Sequence, residues 1–251
     1  MIVSPVPRKS VSDAIYEQLR DAIIGDSLRV GELLPPEREL AQQAGVNRQA
    51  VREALQRLRQ MHLVEIVHGG GARVREWRMT ADISLLPEVV TTADGTLQAK
   101  HALSLTHLRV ALGTDIARLA ARNVTTDRTM NLRNALAAMR MHYGIGAVDS
   151  RSIVVAIEDV WTVLAEMSEN VAYRLTNTAM RVAALEYLQI VPGTVTPIPE
   201  QLEMYERLVN AVLSSDEDTA AITARTVLDA TRQIITGLMA RVEDSRATLE
   251  E

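Results

Sequence analysis

PPERELAQQAGVNRQAVREALQRLR, residues 35–59, is the stretch on which the reading of the whole chain turns. Val51, Ala54, Leu55 and Leu58 fall at offsets 0, 3, 4 and 7, which makes one apolar helical stripe. Arg48 and Arg52 lie off that stripe, one turn apart on the same side, with Asn47 beside them. Ahead of them, Glu37 to Gln43 predicts a short helix stopped at Ala44-Gly45, where glycine supplies the positive φ of a helix end. A helix, a glycine turn and a second helix with arginines near its start make a helix-turn-helix, whose second helix enters the DNA major groove. A basic amphipathic helix by itself is also what an ordinary solvated face looks like, so the flanking sequence matters.

Leu63 to Val67 is a short β-rich run, followed by His68-Gly69-Gly70-Gly71 and then Ala72-Arg73-Val74-Arg75. Two short strands around a glycine turn predict a hairpin. Directly after a helix-turn-helix, such a hairpin is a wing, and its glycines let the backbone come close to a phosphate or the minor groove.

PPERELA, GVNRQAVREALQRL and HLVEIVHGGGARV together resemble the N-terminal domain of the GntR family of bacterial transcription regulators, over about residues 10 to 76. For the fatty-acid regulator of that family, the resemblance implies DNA contacts from an arginine in the PxERE motif, the start of the recognition helix, an arginine one turn on, and the wing tip. Carried over residue by residue, these are Arg38, then Asn47, Arg48, Gln49 and Ala50, then Arg52, then His68 and Gly69. Asn47, Gln49 and Ala50 depart from the small hydroxyl residues of that pattern, so the same operator sequence is not implied.

Among the chain's 251 residues there is no cysteine, which excludes a disulfide framework and any thiolate metal site. Met1 leads into serine, proline and charged residues without an apolar core, and no apolar run of membrane-spanning length follows. A soluble, cytoplasmic protein with no membrane partner is expected. Residues 1–78 carry 12 Lys+Arg against 10 Asp+Glu, whereas the remainder carries 15 against 22. A protein that coats nucleic acid without sequence preference would be basic throughout, so the acidic part has another task.

Ser10 or Ser12 caps a helix running to about Gly25, with Val11, Ile15, Leu19, Ala22 and Ile23 on its buried side. Leu28 to Pro36 reads as a connecting loop. The expected organisation is a winged helix-turn-helix of three helices plus a hairpin over 1–77, a linker over 78–82, and an all-helical domain over 83–251. That second domain divides into seven helical segments, about 83–92, 98–123, 126–143, 152–168, 170–190, 199–214 and 217–243. The fold class is therefore mainly α. Leu105, Leu108, Leu112, Ile116 and Leu119 form the clearest apolar stripe of the second domain.

LRVALGTDIARLAARNVT and LAEMSENVAYRLTN are similar to the FadR-type (FCD) ligand domain of the same family. In most such domains an aspartate and three histidines hold a metal ion that receives an acidic effector. On this chain the resemblance places Ile157, Trp161 and Tyr205 at three of those positions, with the last near Val227 or Asp229. No histidine follows His142. No metal and no cofactor are expected, and the resemblance is to the metal-free fatty-acid branch. One winged helix makes too few contacts for genomic specificity, so a homodimer on a palindromic operator is expected, and the lost metal ligands point to a small effector such as an acyl-CoA or another largely apolar molecule.

The candidate effector residues are Arg109, Trp161, Arg174, Arg181 and Tyr205. The resemblance puts Arg109 where the first long helix faces the pocket, to pair with a carboxylate or phosphate or to serve as a structural arginine. Arg174 and Arg181 share one helix face. His101 and His107 are six apart, which suits no shared metal, and Glu158-Asp159 reads as a pair of solvated charges. Two other readings compete: a metal-dependent regulator that answers to organic acids, and an enzyme with a DNA-binding appendage. Pyridoxal-phosphate chemistry would need a Schiff-base lysine in a large α/β domain. Lys9 and Lys100 are the only lysines, and strand signals are almost absent from Ile83 onward, so no enzyme is expected.

Overall fold

The computed structural model describes residues 10–67, 71–92, 98–144, 150–190 and 199–250, and the chain divides into two compact units, Met1–Thr96 and Leu97–Glu251. In the first unit, α1 (Val11–Ile24) begins at a reciprocal cap, in which Ser10 Oγ accepts from the Asp13 N–H and Asp13 accepts from the Ser10 N–H. Next come α2 (Glu37–Ala44) and α3 (Arg48–Gln60), joined through Gly45 at φ +66°. A two-stranded antiparallel sheet follows, with β1 (Val64–Val67) paired to β2 (Gly71–Val74) and Val64 opposite Val74. His68 and Gly69, the wing-tip candidates, lie outside the described residues.

The α3 stripe is buried as its spacing requires, with Val51, Ala54, Leu55 and Leu58 in the core together with Tyr16 and Ile23 of α1, Leu63 just before the sheet, and Val64 and Val74 of the sheet. Burial of the two leucines contributes about 1.5–3 kcal/mol each. The inner face of α1 is rotated from the expected one. Val11 is exposed, while Tyr16, Arg20 and Ile24 are buried with Ile15 and Ile23. Nor is the segment before α2 a simple loop. Leu33 bridges to Arg73, the Leu34 N–H donates to the Ala72 carbonyl (2.7 Å), and the Val74 N–H donates to the Glu32 carbonyl (2.9 Å). A third extended segment thus lines β2, satisfying backbone groups that would otherwise be orphaned.

The boundary also falls later than the linker expected at 78–82. Trp77–Thr80 forms a short helix, α4, and α5 (Leu86–Val90) belongs to the first unit. Leu85, Val89 and Val90 are buried there, and Glu88 explains why. Its carboxylate accepts from the Tyr16 hydroxyl and from Arg20 Nη1 (3.2 Å), while Asp21 takes Arg20 Nε (2.8 Å). Burial, then the Glu88 bond, pushes the Tyr16 phenol well above its usual range, so it stays a donor. Glu88→Ala should cost about 1–2 kcal/mol, since the phenol loses its acceptor while Arg20 keeps Asp21. Thermal melts, with hydrogen exchange over 83–92, check this; unchanged protection there would mean that Glu88 does not hold α5.

The second unit comprises α6 (Ala99–Arg122), α7 (Thr126–Gly144), α8 (Ser150–Met167), α9 (Val171–Ile190), α10 (Pro199–Leu213) and α11 (Glu217–Glu250). The breaks fall where polar capping residues stand: Asn170 Oδ1 accepts from the Ala172 and Tyr173 N–H groups, and Asp216 Oδ1 from the Thr219 N–H. The core draws on Ile116, Leu132, Met139, Val160, Trp161, Leu164, Tyr205, Leu208 and Val227. On α6 the deepest residues are Ala102, Gly113, Ile116, Ala117, Ala120 and Ala121. Of the stripe read from sequence only Ile116 is deep; its leucines lie half-buried to one side, because small residues let a neighbouring helix approach closely. Gly113 is the extreme case, since a Cβ there would stand 2.4 Å from Leu228 Cδ1 and 3.2 Å from the Trp161 ring.

Candidate functional site

Two sites are built in the two units. The first is the outward face of α2 and α3. Because the Val51–Leu58 stripe faces inward, Arg48 and Arg52 are turned out, with side chains 61% and 52% exposed. Arg38 and Gln49 are also exposed, and Gln49 Nε2 donates to Glu53 (3.0 Å). Asn47 is the N-cap of α3, and its Oδ1 accepts from the Ala50 N–H at 2.8 Å. Its amide nitrogen is what remains to meet a partner. Ala50 is buried at the α3 base, with its methyl in the core and its N–H taken by Asn47, so it is not placed to contact a base. Cap and core geometry account for it, and neither is evident from a residue-by-residue match. Sequence reasoning passed over Glu37, whose carboxylate accepts from Arg52 Nε (3.1 Å), Arg52 Nη2 (3.0 Å) and Arg48 Nη2 (3.4 Å).

The second site lies between α6, α8 and α10. Arg109 Nη2 meets Glu158 Oε1 at 2.7 Å, and its guanidinium stands 5.7 Å from the Trp161 ring centroid. Trp161 Nε1 in turn donates to Tyr205 Oη at 2.9 Å. Burial pushes the Tyr205 phenol far above its usual range, opposed by the positive charge of Arg109. Close by, burial pushes the Tyr143 phenol up to about 12, and its hydroxyl donates to Gln201 Oε1 (2.6 Å).

Arg109, Trp161 and Tyr205 are therefore brought together. Arg181 and Arg174 are not: Arg181 pairs with Asp159 (2.7 Å) and reaches Thr162, while Arg174 is exposed on α9. The solvated-pair reading of Glu158-Asp159 holds for Asp159 alone. Glu158 is 3% exposed, and its Oε2 is buried without a hydrogen-bond partner. Adjacent helical residues point about 100° apart, so one carboxylate faces the core and the other the rim. Ile157 is half-buried against the core and Val227 is inside it, neither with a lone pair to offer a cation. His107 Nε2 lies 3.3 Å from Arg232 Nη1, away from this cluster's pairings. Among the described residues no three metal-ligating side chains converge, and no helix is long and apolar enough to cross a membrane.

Comparison with known proteins agrees with both units. The model for "Bacterial regulatory proteins, gntR family" matches residues 11–74, and the FCD domain model matches residues 104–230. The HTH-type transcriptional regulator Mce2R of Mycobacterium tuberculosis is 30% identical over 229 residues, 91% of this chain and 93% of that protein. The HTH-type transcriptional repressor NanR of Citrobacter rodentium is 32% identical over 86% of this chain and 82% of that protein. Among solved structures, one described as "Lar controls the expression of the Listeria monocytogenes agr system and mediates virulence" has a TM-score of 0.61 at 16% identity, covering 93% of this chain and 100% of its own. That likeness supports the fold alone. The matched families and relatives are transcriptional regulators, not enzymes.

Proposed function

Since the chain belongs to the gntR family of bacterial regulatory proteins and carries an FCD domain, a transcriptional regulator of that type, we propose that it is an effector-controlled repressor acting as a homodimer on a palindromic operator. The observation that carries this reading is the outward display of Arg48 and Arg52 on α3, with Arg38 and Gln49 beside them and the apolar face of the helix wholly committed to the core. One such helix makes too few contacts for genomic specificity, so two copies read two half-sites. The repressor sense is supported by the NanR relatives, which are described as repressors. Selection of binding sequences from random duplex DNA should return a palindrome, and sedimentation of the complex should give two chains per duplex. A monomer on an asymmetric site would overturn the dimeric reading.

The effector is proposed to enter at Arg109, Trp161 and Tyr205 without a metal. Trp161 and Ile157 offer no lone pair, and tyrosine, with a reference pKa near 10, is a poor ligand for a divalent ion at neutral pH. A largely apolar molecule suits these apolar surroundings, an acyl-CoA being the representative tested first. Its acidic part would meet Arg109 beside or in place of Glu158, whose carboxylate already pairs with Nη2. Arg174 and Arg181, at the α9 surface, take no part in this reading. Titration with an acyl-CoA should be unaffected by EDTA; binding that vanishes with the chelator would restore a metal-dependent site.

A further inference from the structure

Glu37 is the first residue of α2, with a side chain 25% exposed, while the two arginines it holds point outward and are more than half exposed. The carboxylate is thus the shielded member of the group and the guanidinium groups are the displayed ones. Its two oxygens take Nε and Nη2 of Arg52 side by side, at 3.1 and 3.0 Å. A guanidinium is planar and carries five N–H donors, so a carboxylate on its Nε/Nη2 edge leaves the Nη1/Nη2 edge free. That remaining edge is the fork that matches O6 and N7 of guanine in the major groove. Arg48 is held more loosely, through one 3.4 Å contact to the oxygen that Arg52 Nη2 already uses.

We propose that Glu37 is a positioning residue for base readout: it clamps the Arg52 guanidinium from behind, so that the free edge meets a guanine already oriented. Two physical effects follow. An arginine ordered before binding loses less rotamer freedom on the operator. A fixed negative charge behind the arginines also repels phosphates, so contacts that merely neutralise the DNA backbone are weakened relative to contacts with bases. The Arg52 hydrogen bond, aided by the charges of Arg52 and Arg48, holds the Glu37 carboxyl below its usual range, so the clamp is ionised at neutral pH. The inference rests on the reading of α3 as the base-reading helix.

The test measures affinity of the full chain for its selected operator duplex and for a random duplex of equal length, over a salt series. Glu37→Gln should lower the operator-to-random affinity ratio by about tenfold, with random-duplex binding unchanged or tighter. Glu37→Asp keeps the charge but shortens the reach, and it should lose a comparable part of the ratio. In an Arg52→Ala background, Glu37→Gln should have little further effect, because Glu37 acts through Arg52. A ratio kept within twofold in both Glu37 variants overturns the clamp, as does an equal fall in the Arg52→Ala background. If Arg52→Ala itself leaves the ratio untouched, the recognition-helix reading fails instead. Melting points close to the parent's separate loss of readout from loss of fold.

Discussion

Arg109→Ala should destabilise the C-terminal unit by about 3–5 kcal/mol, the loss that follows when one partner of a buried ion pair is removed. Arg109 is 16% exposed and Glu158 only 3%, and Arg109 gives the carboxylate its 2.7 Å contact. Without the arginine, the Glu158 carboxyl is left inside the helix bundle with no charge partner, and its Oε2 already has no hydrogen-bond partner. For a unit of this size the loss corresponds to a fall in Tm of roughly 10 °C. Trp161 reports it directly, since the other tryptophan, Trp77, lies in the N-terminal unit and can be replaced by phenylalanine. Glu158→Ala should cost a similar amount by stranding the arginine. Arg109→Leu combined with Glu158→Leu should regain most of the stability, because well-packed apolar pairs substitute for buried ion pairs at little cost. A loss under about 1 kcal/mol for Arg109→Ala would show the pair to be hydrated.

This result bears on function. On the proposed reading, an acidic effector that reaches Arg109 would compete for it with Glu158, the residue that already pairs with it. If Glu158 were displaced in that way, α8, which carries it, would be a physical route from occupancy to a change in the domain.

Arg48→Ala and Arg52→Ala should each reduce discrimination of the operator from random DNA ten- to hundredfold, with the N-terminal unit still folded. A bidentate arginine–guanine contact contributes about 1–3 kcal/mol of discrimination, and both side chains stand clear of the core. The salt dependence separates the two roles an arginine can play on DNA. Removing an arginine that neutralises a phosphate lowers the slope of log affinity against log salt by about one and weakens binding to all sequences, whereas removing one that reads a base lowers discrimination at that position. Gel shifts with operator and random duplexes over a salt series give both quantities. Parental affinity in both variants, with parental melting points, would remove α3 from the recognition role.

Much of this molecule is legible in the sequence because it is written locally. The period of Val51, Ala54, Leu55 and Leu58, the stop at Gly45, and the polar breaks before α9 and α11 need no knowledge of distant residues. Helix positions in the second unit follow from the same signals, and so does the identification of a winged helix-turn-helix before an all-helical domain. What tertiary structure decides are the pairings between residues far apart in the chain. Ala50 matches a contact pattern by position, yet the rotation of α3 on its core puts the methyl inside. Nothing local marks Arg20 for burial; α5 brings Glu88 to it, which also carries the domain boundary to Thr96. Glu158 and Asp159 are neighbours of the same chemistry, and only the approach of α6 with Arg109 on one side and α9 with Arg181 on the other gives them opposite surroundings. Periodicity tells which face of a helix is apolar, but a charged residue can enter a core when a partner arrives to meet it. That partner is set by the packing of helices, a property of the folded chain that local sequence does not encode.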